Sequence, residues 1–233
     1  MGQRKSPFLR ASLLCESGAT PGPLMFICPN DGQLGRLLSE GESGKLREFL
    51  SKNQKVIEIL KRAPQLKMKN WYLGAGCLAQ TVWNALHGFP PEGGIKDYDL
   101  VYFDSSDLSY DAENLFVEKS ADLFEDLHVK VEVKNEACIH LWYKEHFGRA
   151  ISPYQSAEDA ISTWPTTATS IGVTIRGDGR FATFAPFGLS DLFALVVRPN
   201  RRQATKEIYM EKTKRWVQLW PKLKVIPWDD PQP

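Results

Sequence analysis

Two acidic residues spaced two apart at the start of an apolar run constrain this chain more than any other feature. Asp97 and Asp99 flank Tyr98 and precede the apolar run 100–103. Because successive side chains of a β-strand point to opposite faces, both carboxylates project from one face. Carboxylates about 4 Å apart repel by roughly 4 kcal/mol at an effective dielectric constant near 20. A divalent cation offsets this repulsion, so we predict that Asp97 and Asp99 bind Mg²⁺ or Mn²⁺.

A glycine-containing turn precedes the acidic pair. The apolar run 71–73 indicates a short buried strand that ends in Gly74-Ala75-Gly76, and a helix is predicted from Cys77. Glycine has no Cβ, so Gly74 and Gly76 allow backbone amides to approach a triphosphate closely. The free N–H groups and the positive dipole end of the helix point at the same anion. These four residues are therefore the predicted nucleotide-binding turn.

A third carboxylate lies on the next predicted strand. Residues 129–134 alternate valine with Lys130, Glu132 and Lys134, which is the period of a half-buried strand. If Glu132 faces the same way as the aspartates, the cluster can hold two metal ions for an in-line displacement at phosphorus. The alternative is that Glu132, between two lysines, belongs to a solvated edge. Similarly, a lone G-x-G can be tight strand–helix packing, and a lone Asp-x-Asp can be a solvated strand end.

The order of predicted elements defines the fold class. Strand alternates with helix from residue 71 to about 147, which indicates an α/β (α+β) fold with a mixed sheet flanked by helices. One amphipathic helix is predicted over 45–62, and Gly177–Gly179 predicts a hairpin between strands 168–176 and 180–185. Helices are predicted over 189–197 and 206–220.

The predicted domain organisation has three parts. Residues 1–43 are rich in Gly, Pro and Ser and form a flexible extension, residues 44–150 form the core, and residues 151–233 form a C-terminal hairpin and helical part packed on it. The first residues fit two weak targeting patterns, N-myristoylation and a transit peptide, beside the simpler interpretation of a poorly ordered extension.

Composition restricts the class of protein. Four cysteines without a CxxC pair indicate reduced thiols in an intracellular, cytoplasmic protein. No apolar run approaches the roughly 20 residues that a membrane span needs. The net charge of +1 gives no overall field for long nucleic acids, so a nucleic-acid partner is not expected. Lys144, Arg149 and the basic segment 198–206 are candidates for contacting phosphate, although solvated surface cations explain them equally well.

The same residues resemble the nucleotidyltransferase superfamily, in which a glycine turn precedes a strand with two acids and a strand with a third. More closely, residues 71–223 are similar to predicted nucleotidyltransferases of bacteria and fungi. The stretches that carry this resemblance are Leu73-Gly74-Ala75-Gly76, Asp97-Tyr98-Asp99-Leu100, Val133-Lys134-Asn135-Glu136-Ala137, His140-Leu141-Trp142, Trp164-Pro165-Thr166-Thr167 and Val197-Arg198-Pro199-Asn200.

The resemblance implies transfer of a nucleoside monophosphate from a nucleoside triphosphate to an acceptor hydroxyl, with release of pyrophosphate. It implies that Gly74 and Gly76 hold phosphates, that Asp97 and Asp99 bind the metal, and that Glu132 completes the triad or acts as general base. We expect an unidentified small-molecule or protein acceptor. The alternatives are a catalytically inactive nucleotide-binding module that acts through protein interactions and, against the neutral net charge, an RNA-modifying transferase.

Overall fold

The computed structural model describes residues 38–177 and 179–230. Residues 1–37, which make up most of the predicted extension and contain both targeting patterns, lie outside the described residues, as do Cys15 and Cys28. The first described helix already begins at Glu40, slightly before the predicted boundary at residue 43. Among the described helices, none combines the length and the apolarity that crossing a bilayer requires.

A five-stranded mixed sheet forms the centre of the protein and confirms the predicted fold class. The strands are β1 (Tyr72–Gly74), β2 (Tyr98–Tyr102), β3 (Val131–Asn135), β4 (Gly172–Ile175) and β5 (Phe181–Phe184). Their order across the sheet is β3-β2-β1-β4-β5, in which only the β2–β3 pair is parallel. The predicted C-terminal hairpin thus continues the sheet through β4, and the sheet crosses the predicted division at residue 150.

Helices cover the sheet and connect its strands. They are α1 (Glu40–Leu50), α2 (Gln54–Arg62), α3 (Gly76–His87), α4 (Tyr110–Phe124), α5 (Ile139–Phe147), α6 (Ala157–Ile161), α7 (Ser190–Phe193) and α8 (Lys206–Leu219). Short 3₁₀ turns occupy Ala63–Leu66, Glu125–Leu127 and Glu136–Cys138. A separate parallel pair joins β6 (Val196–Val197) to β7 (Lys224–Val225).

The single helix predicted over 45–62 is wrong, because the structure divides it at Asn53. This residue adopts an extended backbone, and its side-chain oxygen accepts hydrogen bonds from the N–H groups of Lys55 and Val56. Its amide donates to Thr81 Oγ1 at 2.8 Å. Asn53 is fully buried, so the break between α1 and α2 is a fixed part of the core. Helical periodicity continues across the break, which is why the sequence pattern misses it.

The helix predicted over 189–197 is also wrong. Only the four residues Ser190–Phe193 are helical, and Leu195 then takes a left-handed backbone with φ +58°. The chain turns there into β6, where the N–H of Lys224 donates to the Leu195 carbonyl at 2.8 Å. Pairing with a distant strand overrides the local apolar pattern.

A tryptophan cluster fixes α8 against α3. The Trp83 ring packs edge-on against Trp216 and Trp220, with centroid distances of 5.3 and 5.5 Å. The indole N–H of Trp220 donates to Asn84 Oδ1 at 2.7 Å. All four side chains are buried. One face of α8 is therefore held next to the C-terminal half of α3.

We expect Asn53→Ala to lower the free energy of unfolding by about 2–3 kcal/mol, because it removes a helix cap and a buried side-chain hydrogen bond together. Urea denaturation followed by circular dichroism measures the loss. Ser39→Ala removes the exposed cap of α1, whose oxygen accepts from Glu42 N, and should cost less than about 1 kcal/mol. Equal losses in the two variants would contradict a structural role for the buried break.

Candidate active site

The turn between β1 and α3 is built by close packing. Gly74 lies beneath Trp164: a Cβ at this position would stand 2.5 Å from the Trp164 ring. Ala75 follows with φ +56°, a backbone region that glycine prefers, and its N–H donates to the Ile171 carbonyl at 3.0 Å. Cys77 is fully buried, and its thiol donates to the Gly74 carbonyl. Of the four predicted turn residues, Ala75 and Gly76 line a cavity, whereas Gly74 and Cys77 support the turn from behind.

Strand pairing brings the acidic pair to the turn. Gly74 of β1 lies directly opposite Asp99 of β2 in the antiparallel register, and Asp97 immediately precedes β2. Both aspartates line the same cavity as Ala75 and Gly76. No lysine or arginine forms an ion pair with either aspartate in the described ranges 38–177 and 179–230. The geometry therefore unites the two parts of the site that the sequence predicts separately.

Burial raises the pKa of Asp99 to about 6. Lys134 opposes this rise, and the charges of Asp97 and Glu132 add to it. Ionising Asp99 thus costs free energy that a nearby cation would return. No group of three His, Cys, Asp or Glu side chains in the described part of the chain is arranged to hold a metal ion. Two carboxylates together with water and substrate phosphate nevertheless form a donor set that suits Mg²⁺, so the acidic pair fits the ion.

Glu132 lies beside Asp99, but its carboxylate forms ion pairs with two lysines. The parallel register pairs Asp99 with Glu132, so their side chains share one face of the sheet. One carboxylate oxygen of Glu132 accepts from Lys130, and the other lies 3.0 Å from Lys134 Nζ. The bond from Lys130, above all, lowers the pKa of Glu132. Glu132 does not contribute to the cavity wall, and its role as a third ligand or base stays a prediction.

Two further residues, one in β3 and one directly after it, line the cavity and were not predicted as site residues from the sequence. Lys134, two residues beyond Glu132, faces the cavity with Asp99. Glu136 lies in the 3₁₀ turn after β3 and is only 5% exposed. Burial raises the pKa of Glu136 to about 8, so its carboxyl group carries a proton at neutral pH. The positive charge of Lys134 opposes this rise, and the negative charge of Asp99 adds to it. The sequence signals for this residue were its position just after a predicted strand and its place in the stretch Val133–Ala137 that resembles nucleotidyltransferases.

Helix α8 closes the other side of the cavity, whose volume is about 530 Å³. Lys212 and Arg215 are one turn apart and both face it. Lys212 is close enough to Asp99 to lower the pKa of that carboxyl group, although less than Lys134 does. Within the described residues neither cation forms an ion pair. The α8 residues that line the cavity are Ile208, Glu211, Lys212, Arg215 and Trp216.

Aromatic side chains form a wall between the acids and α8. They come from α5, from the segment before α6 and from the segment after it, and two of them, Trp142 and Phe147, are 38% and 39% exposed at the edge. Planar ligands stack on such surfaces. The aromatic residues of the lining other than Trp216 are Trp142, Tyr143, Phe147, Tyr154 and Trp164.

The basic residues proposed from sequence as phosphate contacts lie elsewhere. Lys144 and Arg149 do not line the cavity. Arg198 pairs with Asp191 at 3.1 Å, and Lys206 pairs with Asp229 at 2.6 Å. Arg201 donates to backbone carbonyls near the C-terminus. Arg198, Arg201 and Lys206 therefore make contacts within the fold, and the cations that line the cavity are Lys134, Lys212 and Arg215.

A strand–turn–helix unit whose neighbouring strand brings two carboxylates to the same cavity is the arrangement that the resemblance to nucleotidyltransferases implies. The chain belongs to the nucleotidyltransferase family, because the model of that family matches residues 61–225, well over half of the sequence. No curated protein is significantly similar to it.

The solved structures similar to this chain include the following two. The first is described as "a CCA-adding enzyme head domain"; it is 25% identical, and the match has a TM-score of 0.65 and covers 79% of this chain and 95% of that one. The second is described as "tRNA-processing enzyme (apo form I)", with 14% identity, a TM-score of 0.43 and coverage of 83% of this chain and 46% of that one. The first supports the nucleotidyltransferase fold, and the second is too dissimilar to support an argument.

We expect Glu136→Gln to stabilise the protein increasingly as the pH rises. The unfolded glutamate loses its proton near its ordinary pKa of 4.5, whereas the folded one keeps it to about 8. Wild type therefore loses stability between these values, by roughly 1.4 kcal/mol per pH unit for one proton, and the glutamine variant does not. The measurement is the difference in free energy of unfolding between variant and wild type from pH 5 to pH 8.

Glu58→Gln is the control for this experiment. Hydrogen bonds from Lys61 and then Arg62 lower the pKa of Glu58, so its contribution is present above the unfolded pKa and is lost as the pH falls. Its substitution should therefore destabilise near neutral pH and have no effect in acid. A difference for Glu136→Gln that is flat over this range would contradict the buried, protonated carboxyl group.

Proposed function

We propose that this protein is a metal-dependent nucleotidyltransferase that transfers a nucleoside monophosphate from a nucleoside triphosphate to a hydroxyl of a small-molecule or protein acceptor. The observation that carries the proposal is the shared cavity of Asp97 and Asp99 with the turn at Ala75 and Gly76. Membership of the nucleotidyltransferase family supports the reaction class.

Asp97 and Asp99 would hold Mg²⁺ or Mn²⁺. A divalent cation at this position supplies charge for the phosphate oxygens and lowers the pKa of an attacking hydroxyl. Because both carboxylates line the same cavity, a cation bound to them would hold the nucleotide and the acceptor in that cavity. Glu132 stays the proposed third member of the acidic group, for which release from Lys130 and Lys134 is required.

The reaction is an in-line displacement. The acceptor oxygen attacks the α-phosphorus and forms a new P–O bond, while the bond from that phosphorus to the bridging oxygen breaks. Pyrophosphate leaves with the electron pair, and the hydroxyl proton passes to a carboxylate or to water. Positioning and charge stabilisation supply most of the rate enhancement in such transfers.

Phosphate binding is assigned to the turn and to α8. The N-terminus of α3 carries free N–H groups and the positive end of the helix dipole. Both would stabilise an anion bound beside Ala75 and Gly76. Lys212 and Arg215 lie across the cavity without an ion pair among the described residues, so their charge is available to the β- and γ-phosphates. The two side chains would bind phosphate differently, because the planar guanidinium group of arginine can donate to two oxygens of one phosphate at once, whereas lysine acts as a point charge.

A nucleic-acid end is a second candidate acceptor, because the similar structure with 25% identity is described as the head domain of a CCA-adding enzyme. Exposed rings of Trp142 and Phe147 at the cavity edge suit stacking of a base. The net charge of +1 favours a small-molecule or protein acceptor instead. Labelled single-stranded RNA decides between them, since only an RNA acceptor is extended.

A cytoplasmic location is part of the proposal. Cys77 and Cys138 are free, buried thiols, which suits a reducing compartment where nucleoside triphosphates are abundant. A nucleotide-binding module without activity is the remaining alternative. It would bind nucleoside triphosphate but release no pyrophosphate with any acceptor.

We expect Asp97→Asn and Asp99→Asn each to lower Mg²⁺-dependent pyrophosphate release by at least roughly 100-fold, because each variant removes a negative ligand of the cation. The reaction combines cell extract, ATP and Mg²⁺, and mass spectrometry identifies the acceptor that gains a nucleoside monophosphate. Asp107→Asn is the control, since this exposed aspartate follows β2 and lies outside the cavity. The proposal fails if both site variants bind ATP and Mg²⁺ and release pyrophosphate like wild type.

We expect Lys212→Met to weaken Mg·ATP binding on the order of 10-fold, because it removes a cation that faces the phosphates. Equilibrium titration with Mg·ATP and with Mg²⁺-free inorganic tripolyphosphate measures the effect. Lys214→Met is the matched control: it changes the same residue type in α8 at an exposed position outside the cavity. Equal affinities of the two variants would show that Lys212 does not contact the nucleotide.

A further inference from the structure

Three polar atoms in the cavity wall have no hydrogen-bond partner among residues 38–177 and 179–230. They are Gln80 Oε1, Arg215 Nε and Trp216 Nε1. Buried polar groups in folded proteins are almost always paired, and an unpaired one costs free energy. Three of them around one cavity therefore indicate a ligand that supplies the missing partners.

Two of these atoms form a donor and an acceptor on facing helices. Gln80 and Trp216 are 3% and 2% exposed. Gln80 lies one turn before Trp83 on α3, and the Trp83 ring packs against Trp216 of α8 at 5.3 Å. The carboxamide oxygen of Gln80 can only accept a hydrogen bond, whereas the Trp216 indole can only donate one.

The chemistry of the pair selects its ligand. A phosphate oxygen accepts from Trp216 but has no proton for Gln80. A hydroxyl group both donates and accepts, so it carries a proton for Gln80 as well as a lone pair for Trp216. The amide edge of some nucleobases can do the same, because it has an N–H beside a carbonyl.

The position of Gln80 favours a sugar over a base. Its side-chain nitrogen lies 2.8 Å from where a Cβ of Gly76 would stand, so the carboxamide packs against the turn proposed to bind phosphate. In a nucleotide the sugar is bonded directly to the phosphate, and the base lies one group further away. A group that reaches Gln80 from a phosphate on this turn is therefore a sugar hydroxyl.

We propose that Gln80 and Trp216 together bind a ribose hydroxyl of the nucleoside triphosphate and so select ribonucleotides over the corresponding deoxy form. The inference rests on the proposed function, which supplies the nucleotide. Arg215, through its own buried Nε, contributes to the phosphate side of the same ligand.

The test compares the binding of Mg·ATP, Mg·2′-deoxy-ATP and Mg·3′-deoxy-ATP by calorimetry, without acceptor. Wild type should bind ATP about 3- to 10-fold more tightly than one of the deoxy analogues, which is the usual effect of one neutral hydrogen bond. Trp216→Phe keeps an aromatic ring but removes the indole N–H, and Gln80→Met keeps the approximate size but removes the carboxamide oxygen. Both should weaken ATP binding by the same factor and leave the affinity for that deoxy analogue unchanged.

Trp83→Phe is the matched control. Its indole nitrogen is also buried without a partner in the described chain, and its ring belongs to the same cluster, but Trp83 does not line the cavity. It should retain the wild-type preference for ATP. Thermal unfolding first establishes that each variant is folded.

Several results would overturn the inference. If the wild-type protein binds ATP and both deoxy analogues with equal affinity, then Gln80 and Trp216 bind only water. A loss in Trp216→Phe that differs among ATP, GTP, CTP and UTP, without discrimination against either deoxy form, would indicate base recognition. Trp83→Phe and Trp216→Phe with equal effects would indicate packing alone. If the wild-type protein binds no nucleotide in the presence of Mg²⁺, the proposed function itself fails. This result is distinct from the others, because it leaves no difference between ATP and its deoxy analogues to measure.

Discussion

The pairing of β1 with β2 is the constraint on which the rest of the site depends. It sets Gly74 opposite Asp99, so that a turn able to present backbone amides meets a pair of carboxylates. The opposite pairing, of β1 with β4, holds the other side of the turn through the Ala75 N–H and the Ile171 carbonyl. Trp164 fills the space that a side chain at position 74 would need. A shift of one residue in the β1–β2 ladder would turn the carboxylates to the other face relative to the turn.

Charge in the cavity is unevenly distributed. Asp97, Asp99 and the protonated Glu136 lie on the sheet side, and Lys212 and Arg215 lie on α8. Lys134 stands between the two groups but is shared with Glu132. A cation would relieve the repulsion between the two aspartates, a polyphosphate would relieve that between Lys212 and Arg215, and the bound cation and polyphosphate would attract each other. Metal and nucleotide are therefore expected to bind with mutual reinforcement.

Sequence reasoning identified the parts of the fold and site that have local signals. The sheet, the turn at 74–77 and the pair Asp97 and Asp99 follow from periodicity and spacing. The break at Asn53 was missed because its cap depends on a buried bond to Thr81. The positions of Lys212 and Gln80 in the cavity wall were missed because each depends on the contact between α3 and α8, which are distant in sequence. Contacts of this kind leave no periodic trace.

The central sheet draws its strands from widely separated parts of the chain. β1 lies between β2 and β4, and Leu73 pairs with Val173, about a hundred positions later. During synthesis, the turn that would bind phosphate therefore lacks one of its two supporting strands until the hairpin has emerged from the ribosome. The first half of the chain then exposes an apolar edge at the very strand that carries the turn, which leaves it open to pairing with other chains. Completion of the turn between β1 and α3 is accordingly a late step of folding.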